Sequence, residues 1–227
     1  MREATEAQGE STFAMLGVIH GDGPGEVLLG DWLESAGPGV VTLEFSPYGL
    51  DFRRSKGREL RRRTCEVVEG LREEGLPVDG DALGSVLSYI DLPWEYTVAS
   101  GYCTRHEKPL FLIDMDRFSA RKLGRISDLL SKENLVQLLS GPGRHEGLRQ
   151  KALARLFFEK GVKTFSYTQE MRLRDRHMRL RISQLMRLYR PSLFVHICGW
   201  QHLPDPFGLY TSLSPRKVLI HDQALRV

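Results

Sequence analysis

Two stretches of this chain place a histidine three residues after a glycine, each at or just past the end of an apolar run. One is Gly17-x-x-His20 in MLGVIHGDG and the other is Gly199-x-x-His202 in VHICGWQHL. A third stretch, VVTLEFS at 40–46, carries Glu44 among β-branched and aromatic neighbours. An ionised carboxylate in such company needs a partner or a bound cation. Two imidazoles and one carboxylate form a common catalytic metal shell that leaves one position for water. An ion held there draws the pKa of its water towards ~7 and supplies hydroxide at neutral pH. Nitrogen and oxygen donors without thiolate suit manganese, cobalt, zinc or iron, and do not choose among them. Taken singly, each histidine reads first as an ordinary hydrogen-bonded surface or core residue, so the chemistry rests on convergence of the three.

Convergence is a matter of the elements that carry them. Residues 12–19 read as a strand, followed by a glycine-rich turn and a short helix closed by Gly37-Pro38-Gly39. Residues 40–46 read as a second strand with Glu44 late in it, and 53–76 as a charged helix. Asp81 is a plausible cap for an amphipathic helix, and Pro93 starts another that runs to about Glu107. A third strand, PLFLIDMD at 109–116, stays apolar until Asp114. Helices follow at 147–160 and 168–190, then strands in SLFVHICG and RKVLIHD. This alternation predicts an α/β fold, a central largely parallel sheet flanked by helices, in a single domain over 1–227 with 1–11 as a loose N-terminal segment. Ligands of open α/β sheets bind beyond the carboxyl ends of the strands, where His20, Glu44, Asp114 and His202 would meet.

Composition narrows the classes. With 41% hydrophobic residues the chain can bury a core, which argues against disorder. Three scattered cysteines, Cys65, Cys103 and Cys198, form neither a disulfide framework nor a thiolate zinc site and suit a reducing compartment. The polar N-terminal segment lacks the apolar core of a signal peptide, and no apolar window approaches a membrane span. The expectation is a cytoplasmic protein with no membrane association. The basic run RRSKGRELRRR at 53–63 is balanced by EVVEGLREE, and the net charge is only +3. Without an aromatic platform beside it, the run reads as a solvated helix face, so nucleic acid is not an expected partner.

In order along the chain, LGVIHG, VTLEFS, WEYTVASGYCTRHEKPLFLID, RLRDRHM and VHICGWQHL resemble the TraB/PrgY/Tiki family, within a wider group that includes erythromycin esterase-like and ChaN-like α/β proteins. The resemblance spans about residues 16–203. It implies a metal-dependent, peptidase-like hydrolase in which His20, Glu44 and His202 hold a divalent ion. Glu44, Glu95, Arg174 and Asp175 then serve the chemistry, with Glu95 and the Arg174-Asp175 pair as supporting residues. A carboxylate can orient a ligating histidine or act as base on bound water. An arginine can stabilise a developing oxyanion. The family's arginine after the second strand corresponds to Arg53 or Arg54.

Peptide or small ester substrates fit this resemblance, the ester through relatives in which histidine acts without metal. The rival class is a peptide- or haem-binding protein without turnover, and a fold kept only for partner contacts is the third reading. In the arginine-rich stretch 171–190, Met171, Met178, Ile182, Leu185 and Tyr189 recur at helical spacing as a packing stripe, from which Arg174 and Asp175 are expected to point away. Cys103 and His106 lie one turn apart but lack a second pair of ligands. GPGRHEG at 141–147 reads as a turn and a candidate lid.

Overall fold

A computed structural model describes residues 12–20, 23–139, 146–221 and 225–226. Strand β1 (Phe13–Val18) leads into helix α1 (Gly23–Ala36) and strand β2 (Val40–Leu43). Three helices follow: α2 (Pro47–Glu73), α3 (Gly80–Ile90) and α4 (Trp94–Arg105). After strand β3 (Leu110–Leu112) come α5 (Asp116–Leu123), α6 (Ile126–Leu129) and α7 (Lys132–Leu139). Helices α8 (Glu146–Lys160) and α9 (Gln169–Tyr189) precede β4 (Phe194–Gly199), a 3-10 turn at Trp200–His202, β5 (Arg216–Leu219) and β6 (Leu225–Arg226).

The strands form one sheet in the order β3-β2-β4-β1-β5-β6, parallel throughout except for β6, which runs antiparallel to β5. Helices cover both faces, as an α/β domain requires. Alternate residues of each strand feed two cores. Leu16, Val18, Val195 and Ile197 pack with Leu29 and Leu33 of α1 and Ala99 and Tyr102 of α4. Phe13, Met15, Phe194 and Cys198 pack with Met178, Ile182 and Leu185 of α9. Each such aliphatic or aromatic side chain contributes roughly 1.5–3 kcal/mol by leaving water.

Register sets the site. Val18 pairs with Gly199 and Leu43 with Ile197, so β1 and β4 end level with one another and β2 ends two residues earlier, which leaves Glu44 beside the end of β4. From there β1 hands the chain to α1 on one face, while β4 continues into Trp200 and Leu203 on the other. Adjacent strands whose connections leave on opposite faces open a crevice at the carboxyl edge.

Several boundaries differ from the sequence reading. Glu44 lies one residue beyond β2 rather than inside it. Its amide is held by Ile197 O at 2.8 Å, which continues the ladder by one bond. Helix α2 starts at Pro47, because Ser46 Oγ accepts the Gly49 amide as an N-cap and proline needs no amide partner at the first turn. Asp79, not Asp81, caps α3 by accepting the Ala82 amide at 2.8 Å. The third strand is only three residues long and half-buried at the sheet edge. Helices α5, α6 and α7 occupy a stretch to which the sequence pattern gave no element, and β6 adds an edge strand. The proposed lid at 141–147 and the loose segment 1–11 lie wholly or partly outside the described residues.

Candidate functional site

The two glycines of the repeated motif work differently. A Cβ on Gly17 would stand 2.5 Å from Leu203 Cδ1 and 3.0 Å from Trp200 Cα. Gly17 therefore lets the 3-10 turn bearing His202 rest directly on β1. A Cβ on Gly199 would meet His20 Nε2 at 3.5 Å, Glu44 Oε2 at 3.6 Å and His202 Cδ2 at 3.9 Å. Gly199 thus sits at the point on which all three expected site residues converge.

Around it lies a cleft of about 210 Å³, whose walls include His20, Glu44, Arg174, Trp200, Gln201 and His202, with Gln150 of α8 and Met171 of α9 opposite. His20 follows β1 with its side chain 72% exposed, and its Nδ1 donates to Glu95 Oε1 at 2.5 Å. Glu95 comes from the first turn of α4 and is 3% exposed. Loss of water lowers the His20 pKa, but the hydrogen bond and charge of Glu95 outweigh it, and the pKa is raised. With Nδ1 committed to Glu95, neutral His20 turns the lone pair of Nε2 towards Gly199 and the cleft.

His202 is built otherwise. Buried at 4% exposure, it donates Nδ1–H to Asp175 Oδ1 at 2.6 Å and Nε2–H to Glu44 Oε1 at 3.0 Å. Two carboxylate acceptors call for two ring protons, hence an imidazolium. Burial lowers its pKa, yet the charges and hydrogen bonds of Glu44 and Asp175 prevail and raise it to about 10. Asp175 is fully buried and also accepts from Tyr210 Oη at 3.0 Å and from Tyr167 Oη. Burial and the aspartate push both phenols up, so both remain donors.

Arg174 joins the other carboxylates. Its Nη2 donates to Glu44 Oε1 at 2.5 Å and to Asp114 Oδ2 at 2.7 Å, while Nε donates to Asp114 Oδ1 at 3.0 Å. Glu44 Oε2 accepts the Gly199 amide at 2.8 Å. Burial alone would raise the Glu44 pKa, but His202, Arg174 and the Gly199 amide hold it well below the usual carboxylate range. Beneath this layer His196 is fully buried, with Nδ1 on Thr42 Oγ1 at 3.0 Å, and burial lowers its pKa to about 4, leaving it neutral.

All six expected residues, His20, Glu44, Glu95, Arg174, Asp175 and His202, therefore meet at one sheet edge. The direction expected for Asp175 is corrected. It lies on the buried stripe of α9 with Met178, Ile182 and Leu185, because three hydrogen-bond donors make its burial tolerable. Neither Arg53 nor Arg54 reaches Glu44. Arg53 donates to the carbonyls of Asp91 and Gly49, and Arg54 to Tyr96 Oη. The second of these braces the helix that carries Glu95. His106 pairs with Glu34, and burial pushes the Cys103 thiol up to about 11, so the two form no site. Tyr167, Tyr210, Gln150 and Gln201 went unnoticed in the sequence, since nothing in their local pattern sets them apart from ordinary loop and helix residues.

A divalent ion bound by His20, Glu44 and His202 would need lone pairs on both imidazoles and a free carboxylate oxygen. His20 Nε2 offers one. His202 has both nitrogens turned to carboxylates, and Glu44 has Oε1 shared by Arg174 and His202 and Oε2 held by a backbone amide. Arg174 already brings a fixed cation to Glu44 Oε1. As arranged, this donor set does not fit a metal shell, and no group of three or more candidate ligands forms one among the described residues. No helix among those residues is long and apolar enough to cross a membrane. No family model, curated protein or solved structure matches the chain.

Proposed function

We propose that this chain is a hydrolase of carboxylic esters, with peptides as the next substrate class, in which His20 serves as general base. The observation that carries the reading is the His20–Glu95 pair: an imidazole fixed through Nδ1 to a buried carboxylate, with Nε2 turned into a cleft across from Arg174. A base with its tautomer locked by a carboxylate can take a proton from water at neutral pH. In the proposed step water adds to the substrate carbonyl, and its proton passes to His20 Nε2. The carbonyl electrons move onto oxygen beside Arg174, whose charge stabilises the oxyanion. Collapse breaks the bond to the leaving alkoxide, which recovers the proton from His20.

This keeps the hydrolase class implied by the TraB/PrgY/Tiki resemblance but routes no step through a metal. The test is hydrolysis of a panel of p-nitrophenyl esters, lactones and fluorogenic peptides by wild type and His20→Gln. Chelator is added, followed by manganese, cobalt or zinc. Ester turnover that survives chelation and falls by roughly 10²–10⁴ in the variant supports the base role. Activity lost to chelator and restored by an ion would return the site to metal-assisted chemistry. No turnover of any substrate would leave the binding reading.

A further inference from the structure

A second cavity, of about 350 Å³, opens at the carboxyl end of β3, between the start of α5 and the side of α9. Its polar lining is Asp114, Asp116, Arg117, His177 and Arg181. Of the two acids, Asp114 is paired with Arg174, whereas among the described residues Asp116 Oδ1 accepts only the neutral Tyr48 amide at 2.8 Å, which leaves its charge in place. The basic groups have no carboxylate partner among the described residues. Arg117 stands over the Phe118 ring at 4.7 Å, and Arg181 donates only to Gln184. Arg61, Arg105 and Arg121, by contrast, pair with Asp91, Glu34 and Glu170. Two guanidinium groups, Arg117 and Arg181, against the single unpaired carboxylate of Asp116 leave the balance of charge facing this cavity positive.

Its position ties it to the first cleft. Met171 and Arg174 line the first, His177 and Arg181 the second, all along one stripe of α9. The Arg174–Asp114 pair stands between the two cavities, with one partner lining each. Seven residues of helix from Arg174 to Arg181 span about 10 Å. We propose that the second cavity is an anion subsite. It would hold a carboxylate or phosphate at the far end of the substrate, about 10 Å from the scissile carbonyl. This deepens the hydrolase reading and rests on it. Guanidinium groups suit such oxyanions because their paired N–H donors match two oxygens at once.

The test compares p-nitrophenyl octanoate with the mono-p-nitrophenyl ester of suberic acid, an eight-carbon dicarboxylate, on the full chain and on Arg117→Gln/Arg181→Gln. These side chains are exposed, so the double variant is expected to fold. Wild type should prefer the anionic ester by about tenfold in kcat/KM, through KM, as one charge-assisted contact predicts. The double variant should lose that preference, and added salt should erode it. Calorimetric titration with suberate and with inorganic phosphate reads the subsite without turnover and shows which oxyanion it favours. Equal use of both esters by wild type, or a preference the double variant keeps, would overturn the subsite and leave the hydrolase reading intact. Suberate or phosphate binding that the double variant loses, with no ester hydrolysed, would uphold the anion site and overturn the hydrolase.

Discussion

Raising the pH should weaken this fold from its site outward. His202 is 4% exposed and has its pKa raised from 6.5 to about 10 by Glu44 and Asp175. A group whose pKa is higher in the folded state contributes in full below its unfolded pKa and is lost as pH climbs through the folded value. The window therefore runs from 6.5 to about 10. At ~1.4 kcal/mol per pH unit the whole span amounts to about 5 kcal/mol, and at pH 8.5 about 3 kcal/mol is already gone. Domains of this kind are stable by roughly 5–15 kcal/mol, so the effect is a large share of the total. The depressed pKa of Glu44 expresses the same attraction from the other partner and is not added to it.

Urea midpoints at pH 6.5, 7.5, 8.5 and 9.5 measure the slope, and His202→Gln supplies the control for every other titrating group. Wild type should lose stability steadily across this range, while the variant starts lower by roughly 3–5 kcal/mol and stays flatter. The raised pKa of His20 acts in the same direction, but its side chain is 72% exposed, so His20→Gln should barely change the slope. Nitrogen-15 spectra of the imidazoles give a direct reading, with His202 doubly protonated at pH 8 and His196 neutral. A wild-type midpoint unchanged between pH 7 and pH 9, or a neutral His202 at pH 8, would refute the imidazolium.

The two motif glycines should separate in thermal melts. Gly17→Ala forces a methyl group against Leu203 and the Trp200 backbone and should cost ~1–3 kcal/mol, whereas Gly199→Ala meets only atoms at 3.5 Å and beyond and should be nearly neutral. Glu95→Gln should lower the His20 pKa in an NMR titration and reduce ester turnover on the order of 10²-fold or more. An unchanged His20 titration would remove Glu95 from the proposed base pair. Arg174→Met leaves Glu44 and Asp114 without their shared cation and should destabilise by roughly 3–5 kcal/mol in urea unfolding.

The strands that matter were legible because each is a short apolar run bounded by glycine, proline or a charge, buried on both faces. Parallel pairing brings the carboxyl ends of all three strands to one edge, so the meeting of His20, Glu44 and His202 could be anticipated from three separated segments. Helices α5 to α7 were not, since they are too short to show a clear periodic stripe and take their place from packing beside α2 and α3. The electrostatic order of the site was also hidden. Residue type alone says that histidine and glutamate could bind an ion. Which nitrogen faces which oxygen depends on Asp175 and Arg174 arriving from a helix some 130 residues after Glu44.

That order also explains how one repeated motif yields two unlike histidines. His20 sits outside the sheet edge, with one nitrogen anchored and the other open to the cleft, and its exposure lets it gain and lose a proton with little cost to the fold. His202 is pinned at both nitrogens between carboxylates, so giving up its proton would leave Glu44 and Asp175 buried with less positive charge between them. A base needs the first environment and a fixed cation the second. If Asp175→Asn lowered the His202 pKa so that the ring gave up its Nε2 proton and kept Nδ1–H on the amide oxygen, Nε2 would turn a lone pair towards Glu44 and the three-residue set would move closer to a metal shell. Zinc or cobalt should then bind the Asp175→Asn variant more tightly than wild type in a calorimetric titration. Tighter binding by wild type would mean that Asp175 supports a metal ligand and not an imidazolium.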